Sequence, residues 1–407
     1  MTSPLLPSLP APLGTVFLIA GEPSGDTLGA RLMSALRQQH GAGVRFVGVG
    51  GPRMTEQGLE SLFPMEELAV MGLFEILPKL PQLIRRVGDT AATIQRTQPD
   101  VLITIDAPDF SFPVVRRLKR PSFPVIHFVA PTVWAWRPGR AKVVAGLYDH
   151  LLCLLPFEPP YFEAVGLDAT FIGHPVVEGP LGSADAGRFR QQFGLADADR
   201  PLVVLPGSRR VEVTRLLPIF REAVARLVER HPDLRPVVPT VPHVAGMVRE
   251  AVSGWPGDPI VLVDEQAKYD AFKAAHAAIA ASGTVALELS LSGTPTVVAY
   301  KVSWLTAMIM KRVILVDTVT LTNLITQDKV IAEYIQEACT PEALVAEAER
   351  LLTDDELRRR QVLAGQAVGQ VLGLTGDTKP SQNSAAAVTR VVETWNLQRR
   401  AVTGPIG

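Results

Sequence analysis

At 407 residues and 47% hydrophobic, the chain can bury a large core and is long enough for two domains. A formal net charge of −1 removes any global reason to expect nucleic-acid binding, so anion recognition must come from local clusters. The two cysteines, Cys153 and Cys339, are far apart with no partner at metal spacing, which fits buried thiols in a reducing compartment.

The opening MTSPLLPSLPAPLG lacks a basic n-region and a continuous apolar h-region. Residues 1–14 therefore read as an extended or disordered lead-in, not a signal peptide. Short apolar runs follow: TVFLIA (15–20), RFVGVG (45–50), DVLITID (100–106), VIHFVA (125–130), HLLCLLP (150–156) and ATFIG (169–173). Runs without polar alternation predict parallel strands covered on both faces. Between them DTLGARLMSALRQQ (26–39) and LIRRVGDTAATIQRTQ (83–98) predict helices. After a polar stretch near 181–200 the rhythm restarts with PLVVLP (201–206), the helix 211–231, LRPVVPT (234–240), PIVLVD (259–264), AAIAAS (277–282) and TPTVVAY (294–300). The pattern predicts an α/β protein of two consecutive doubly wound domains, 15–180 and 200–340. Helices over 341–407 are expected to pack back on the first domain. Ligands of such sheets bind outside the carboxyl ends of the strands, so the expected site is the cleft where the domains face each other.

The apolar stretch 302–321 is interrupted by Lys311 and Arg312, which argues against a membrane span. In segment 65–87, Val70, Met71, Leu73, Phe74, Ile76, Leu77 and Leu80 lie next to Arg85 and Arg86. An apolar surface bordered by cations suits a membrane interface with anionic lipid, and a buried amphipathic helix would read the same way.

Chemistry is expected where strands end. GEPSGD (21–26) closes the first strand with a Gly turn and a helix start, yet matches neither the Walker A nor the Rossmann fingerprint. It is either a ligand turn or a turn capped by Ser24 or Asp26. In TIDAPDF (104–110), Asp106 sits one residue past the apolar run, where a carboxylate can serve as general base toward a hydroxyl. Alternatively, Asp106 and Asp109 are local caps. Trp134 and Trp136 beside Arg137, Arg140 and Lys142 have the makings of a site for a phosphorylated, partly apolar ligand, or of a core tryptophan beside a solvated helix start. VVLPGSRRVEV repeats the strand, Gly turn and helix start with Gly207, Ser208, Arg209 and Arg210, the components of a diphosphate site. Ser282, Gly283 and Thr284 open a further helix, with Glu288 one turn later for ribose hydroxyls.

These runs in this order resemble the lipid-A-disaccharide synthases, inverting glycosyltransferases of the GT-B architecture. GEPSGD, FVGVGGPRM, MEELAVMGLFEIL, IDAPDF, VWAWR, LPFE, FIGHP, LPGSRR, ASGT and LTNL carry the resemblance over roughly residues 15–340. It implies that UDP-2,3-diacylglucosamine reacts with 2,3-diacylglucosamine 1-phosphate (lipid X) to give a β-1,6-linked disaccharide 1-phosphate and UDP. By the same resemblance Asp106 is the base for the acceptor 6-hydroxyl, and Arg209 lies near the UDP phosphates. Glu288 is the ribose-binding glutamate, Asn323 of LTNL belongs to the site, and Ser24 faces the cleft from the first domain. No cofactor and no metal are expected, since no Asp-x-Asp motif is evident and Arg209 with helix N-termini can stabilise the leaving diphosphate. The expected setting is cytoplasmic, peripheral to the inner membrane through 65–87, with homodimer formation left open. A UDP-N-acetylglucosamine 2-epimerase or other soluble GT-B sugar enzyme, or a non-catalytic UDP-sugar-binding scaffold, are the alternatives.

Overall fold

The computed structural model describes residues 13–68, 73–119 and 121–402. The chain divides into two compact units, Met1–Pro175 with Asp377–Gly407, and Val176–Gly376.

The first unit is built on β1 (Thr15–Ala20), β2 (Arg45–Val49), β3 (Leu59–Ser61), β4 (Val101–Ile105), β5 (Val125–Phe128), β6 (His150–Cys153) and β7 (Ala169–Phe171). They form one parallel sheet in the order β3-β2-β1-β4-β5-β6-β7. In β1 the alternation of side chains feeds two separate core layers. Phe17 and Ile19 pack on one face, with Val16, Leu18 and Ala20 on the other. This double burial is the reason the strand has no polar alternation.

The second unit repeats the design with β8 (Arg200–Leu205), β9 (Leu234–Pro239), β10 (Ile260–Leu262), β11 (Ala277–Ala281), β12 (Thr296–Tyr300) and β13 (Glu333–Ile335). The order is β10-β9-β8-β11-β12-β13, again all parallel. Leu202 and Val204 of β8 enter one core layer, Val203 and Leu205 the other. In each sheet the strand order reverses beside the first strand of the unit, between β1 and β4 and between β8 and β11. A crevice opens at such a switch point, and the sequence puts its unusual turns there.

The C-terminal helices divide between the units, which corrects the expectation that all of them pack on the first domain. Leu344, Val345, Ala348 and Leu351 of helix Pro341–Thr353 enter the core of the second unit, and Gln361 of helix Asp355–Leu372 bonds the backbone of Thr296 there. Helix Pro380–Val402 supplies Ala385, Val388 and Val392 to the layer that holds Leu32 and Leu36 of the first unit. Both cysteines are free and buried.

Candidate active site

At the end of β4 the backbone enters a left-handed turn, with φ of 50° at Asp106 and 46° at Ala107. Two consecutive non-glycine residues in this region are uncommon, and such strain concentrates at functional sites. Helix Pro108–Arg117 starts immediately after, with Pro108 in its first turn and Ala107 as a cap that makes no side-chain bond. The cap reading of Asp106 and Asp109 is therefore not what is found. The Asp106 amide donates to the Phe128 carbonyl and its own carbonyl accepts from Ser111 Oγ, so the backbone of the turn is held on both sides of this residue. Partial burial pushes that carboxyl above its ordinary value, with the Ala107 amide and the Arg140 charge acting in the opposite direction. His127 on β5 is buried against Thr104, Phe112 and Tyr148 and pushed down to about 3, so it stays neutral.

The turn GEPSGD lies beside this one, at the end of β1. Helix Pro23–His40 begins without a side-chain cap, so neither Ser24 nor Asp26 caps it. Ser24 is exposed at that start. Asp26 is buried and caps a different helix, accepting from the amides of Gly51, Arg53 and Met54 at 2.9–3.0 Å. Its role is structural: it ties the first turn to Pro52–Glu56.

In the second unit, seven of the eight residues expected from the two Gly turns line one cavity of about 380 Å³: Gly207, Ser208, Arg209, Ser282, Gly283, Thr284 and Glu288, whereas Arg210 does not. The backbone at Gly207 (φ 106°) and Gly283 (φ 152°) disfavours any side chain, and a Cβ on Gly207 would lie 2.8 Å from that of Glu212. Arg209 is the cap of helix Arg210–Arg230 and is largely exposed, its guanidinium 3.2 Å from Glu212. Glu288 is paired with Lys268 at 2.8 Å. A second cavity of about 570 Å³ shares Arg209, Glu212 and Ser282 and continues past Tyr300, Met310 and Lys311.

Three participants escaped the sequence reading. Glu212 accepts from the Ser208 and Arg209 amides at 3.2 Å, placing a carboxylate on the N–H groups a phosphate would use. The signal was present, since Glu at the third helical position completes a capping box. Lys268 and Thr240, which line the same cavity, come from a helix and a strand end without a recognisable motif.

Asn323 is not brought to these cavities. It is buried, its amide donates to Thr318, Ile331 and Glu333, and its oxygen accepts from the Ile331 amide. Every polar atom of the side chain is used to close the loop 318–333. Asn323 lines neither of the two cavities. Glu158 of LPFE is likewise internal, accepting from the Leu154 and Leu155 amides and from Trp134, and burial pushes it up to about 7. Of the two tryptophans, Trp134 is buried, whereas Trp136 is partly exposed with Arg137 stacked 4.4 Å from its ring centroid.

Residues 69–72 lie outside the described residues, as do the side chains of 73–79, and these include Val70, Met71, Leu73, Phe74, Ile76 and Leu77 of the expected membrane segment. Arg86 is not a free cation for lipid, because it forms a bidentate pair with Glu67 at 2.7 and 2.9 Å. Among the described residues no helix is long and apolar enough to cross a membrane.

A family model described as Lipid-A-disaccharide synthetase matches residues 16–387. The lipid-A-disaccharide synthase of Rhodospirillum centenum is 52% identical over 379 residues, covering 93% of this chain and 94% of that protein. The fold is shared with solved structures at low identity. A UDP-GlcNAc 2-epimerase from Neisseria meningitidis bound to UDP-GlcNAc superposes with a TM-score of 0.61 at 11% identity, over 93% of this chain and 99% of that one. MurG from Acinetobacter baumannii does so with a TM-score of 0.56 at 13% identity, over 94% and 100%. The architecture is GT-B, and the chain belongs to the lipid-A-disaccharide synthetase family.

Proposed function

We propose that this glycosyltransferase of lipid A biosynthesis transfers the diacylglucosaminyl group of UDP-2,3-diacylglucosamine to the 6-hydroxyl of 2,3-diacylglucosamine 1-phosphate. Asp106 takes the hydroxyl proton as the acceptor oxygen forms its bond to the anomeric carbon. The bond from that carbon to the diphosphate oxygen breaks on the opposite face, and UDP leaves with the electron pair, so one base suffices and the configuration inverts. The observation that carries this reading is the carboxylate of Asp106, aimed by a left-handed turn and made more basic by burial.

The nucleotide is assigned to the second unit. Its diphosphate meets Arg209 and the amides of Ser208 and Thr284, where charge growing on the leaving group is stabilised. Glu288, held by Lys268, takes the ribose hydroxyls. The adjoining cavity past Tyr300 and Met310 takes the acylated sugar of the donor.

We further infer peripheral attachment to the membrane through 65–87, since both substrates carry acyl chains. Leu80 and Ile84 of that segment expose 43% and 53% of their surface. Replacing Val70, Leu73 and Phe74 by Ser is expected to lower vesicle binding while UDP binding stays within a few-fold.

The deciding experiment incubates the protein with labelled donor and lipid X in mixed micelles. Disaccharide 1-phosphate is the expected product. Release of UDP without disaccharide would assign a hydrolase or an epimerase instead.

A further inference from the structure

The first turn of helix Pro108–Arg117 separates two cavities of opposite character. Pro108, Asp109 and Pro113 line both. On one side lies a cavity of about 380 Å³ walled by Leu80, Leu83, Ile84, Val87 and Phe110, with Arg117 at its edge. Its size is within the range of small-molecule sites, roughly 300–1,000 Å³. On the other side a cleft of about 530 Å³ is lined by Arg116, Arg137 and Arg140. Among the described residues none of these three arginines pairs with a carboxylate. Arg137 stacks on Trp136 and Arg140 lies 5.4 Å from the ring centroid of Phe112. A guanidinium stacked on a ring keeps its in-plane N–H groups for oxygen acceptors. Arg116 and Arg137 are exposed and Arg140 is half-buried, so the cleft presents three cations to solvent, and a planar fork is the geometry that binds phosphate.

We propose that the acceptor straddles this helix turn, its phosphomonoester held by Arg116, Arg137 and Arg140 and one acyl chain inserted between helices Leu73–Thr97 and Pro108–Arg117. The turn it straddles begins at the residue after Asp106, the proposed base, so both anchors lie on the helix that Asp106 leads into. The inference rests on the reading that the chain joins two acylated sugars. It adds which residues read the phosphate of that acceptor and which read its acyl chain.

The test uses the full chain with three acceptors: lipid X, its phosphate-free form, and analogues with shortened acyl chains. In the double variant Arg116→Ala and Arg137→Ala, the KM for lipid X is expected to rise by about tenfold or more, as loss of charge-assisted bonds implies. The donor KM stays within twofold, and the phosphate-free acceptor reacts equally well with both proteins. Equal losses for phosphorylated and phosphate-free acceptors would overturn the phosphate assignment, because a merely structural role moves both. Leu83→Trp, which fills the apolar cavity, is expected to shift the preferred acyl length downward by several carbons. Should that variant fail to fold, Ile84→Trp at the exposed mouth makes the same test. An unchanged length profile with weaker sedimentation on anionic vesicles would overturn the acyl assignment and make the cavity a membrane contact. A wild-type protein that forms no disaccharide refutes the transferase reading itself, whereas normal turnover with unresponsive variants refutes only the straddled turn.

Discussion

Replacing Asp106 by Asn separates the chemistry of the turn from its shape. Asn is nearly isosteric with Asp and tolerates the left-handed conformation, so the φ of 50° and the bond from Ser111 Oγ to the residue 106 carbonyl survive. What disappears is the proton acceptor. A positioned general base contributes roughly 10²- to 10⁴-fold, or about 3–5 kcal/mol of barrier at about 1.36 kcal/mol per decade. Because Asp106 is more basic than an ordinary carboxylate, its loss is expected toward the upper part of that range. Turnover of labelled donor and lipid X in mixed micelles should fall accordingly, while calorimetric binding of UDP stays within twofold. The pH profile supplies a second readout. Wild-type kcat/KM should decline on the acid side with a pKa above the usual carboxylate range, and the residual activity of the variant should lack that limb. Turnover within tenfold of normal would leave Asp106 as a turn-former and assign the base elsewhere.

At the nucleotide, Glu288→Ala is expected to raise the donor KM with kcat little changed, whereas Arg209→Ala should lower kcat as well, since leaving-group charge grows only in the transition state; identical kinetic profiles would refute the separate roles. Glu212→Ala is expected to tighten UDP binding several-fold by clearing a carboxylate from the Ser208 and Arg209 amides, at about 1 kcal/mol of lost helix capping, and weaker binding by calorimetry would mean that Glu212 shapes the loop instead. Glu158, pushed up to about 7, binds a proton in the folded state across the window from about 4.5 to 7 where the unfolded state has lost it. Its contribution therefore favours the fold below that window and falls by roughly 3 kcal/mol as pH rises through it. Urea unfolding of Glu158→Gln at pH 5 and pH 8 should show that part of the pH dependence removed, and an unaltered difference between the two pH values would contradict it.

The long strands were legible because parallel strands buried on both faces leave an unbroken apolar run, as β1 and β8 do. β3 and β13 were not. Each is three residues at a sheet edge and carries a glutamate, Glu60 or Glu333, so neither composition nor period marks it. Helix Leu73–Thr97 extends ten residues before the stretch 83–98 that predicted it, into the segment read either as a membrane surface or as an amphipathic helix. The Gly turns of the second unit were legible for a local reason: backbone conformation, helix start and charged side chain all fall within eight residues. The bonding partners of Asp26, Glu158 and Asn323 were not legible, because a buried polar side chain is understood only through its partners. Asp26 finds Gly51, Arg53 and Met54 from 25 to 28 residues away, and no short motif encodes that reach.

The turn at Asp106 is likewise held by a partner distant in the chain, the Phe128 carbonyl. Two left-handed non-glycine residues cost on the order of 1–2 kcal/mol each, and glycine at either place would relieve the strain. Glycine at 106 would remove the carboxylate, and glycine at 107 would free it to sample other directions. The fold keeps the strained pair and yields at Gly21 on the neighbouring strand end, where an added Cβ would lie 2.7 Å from that of Ala107. Pro108 then fixes the first helical φ, and the Phe128 carbonyl and Ser111 hydroxyl hold the backbone on both sides of the carboxylate. A base that must remove one proton from one hydroxyl gains more from fixed direction than from a relaxed backbone, since a misaimed group forfeits the advantage of proximity. A glycine beside Asp106 and not at it suits the role of base proposed for that residue.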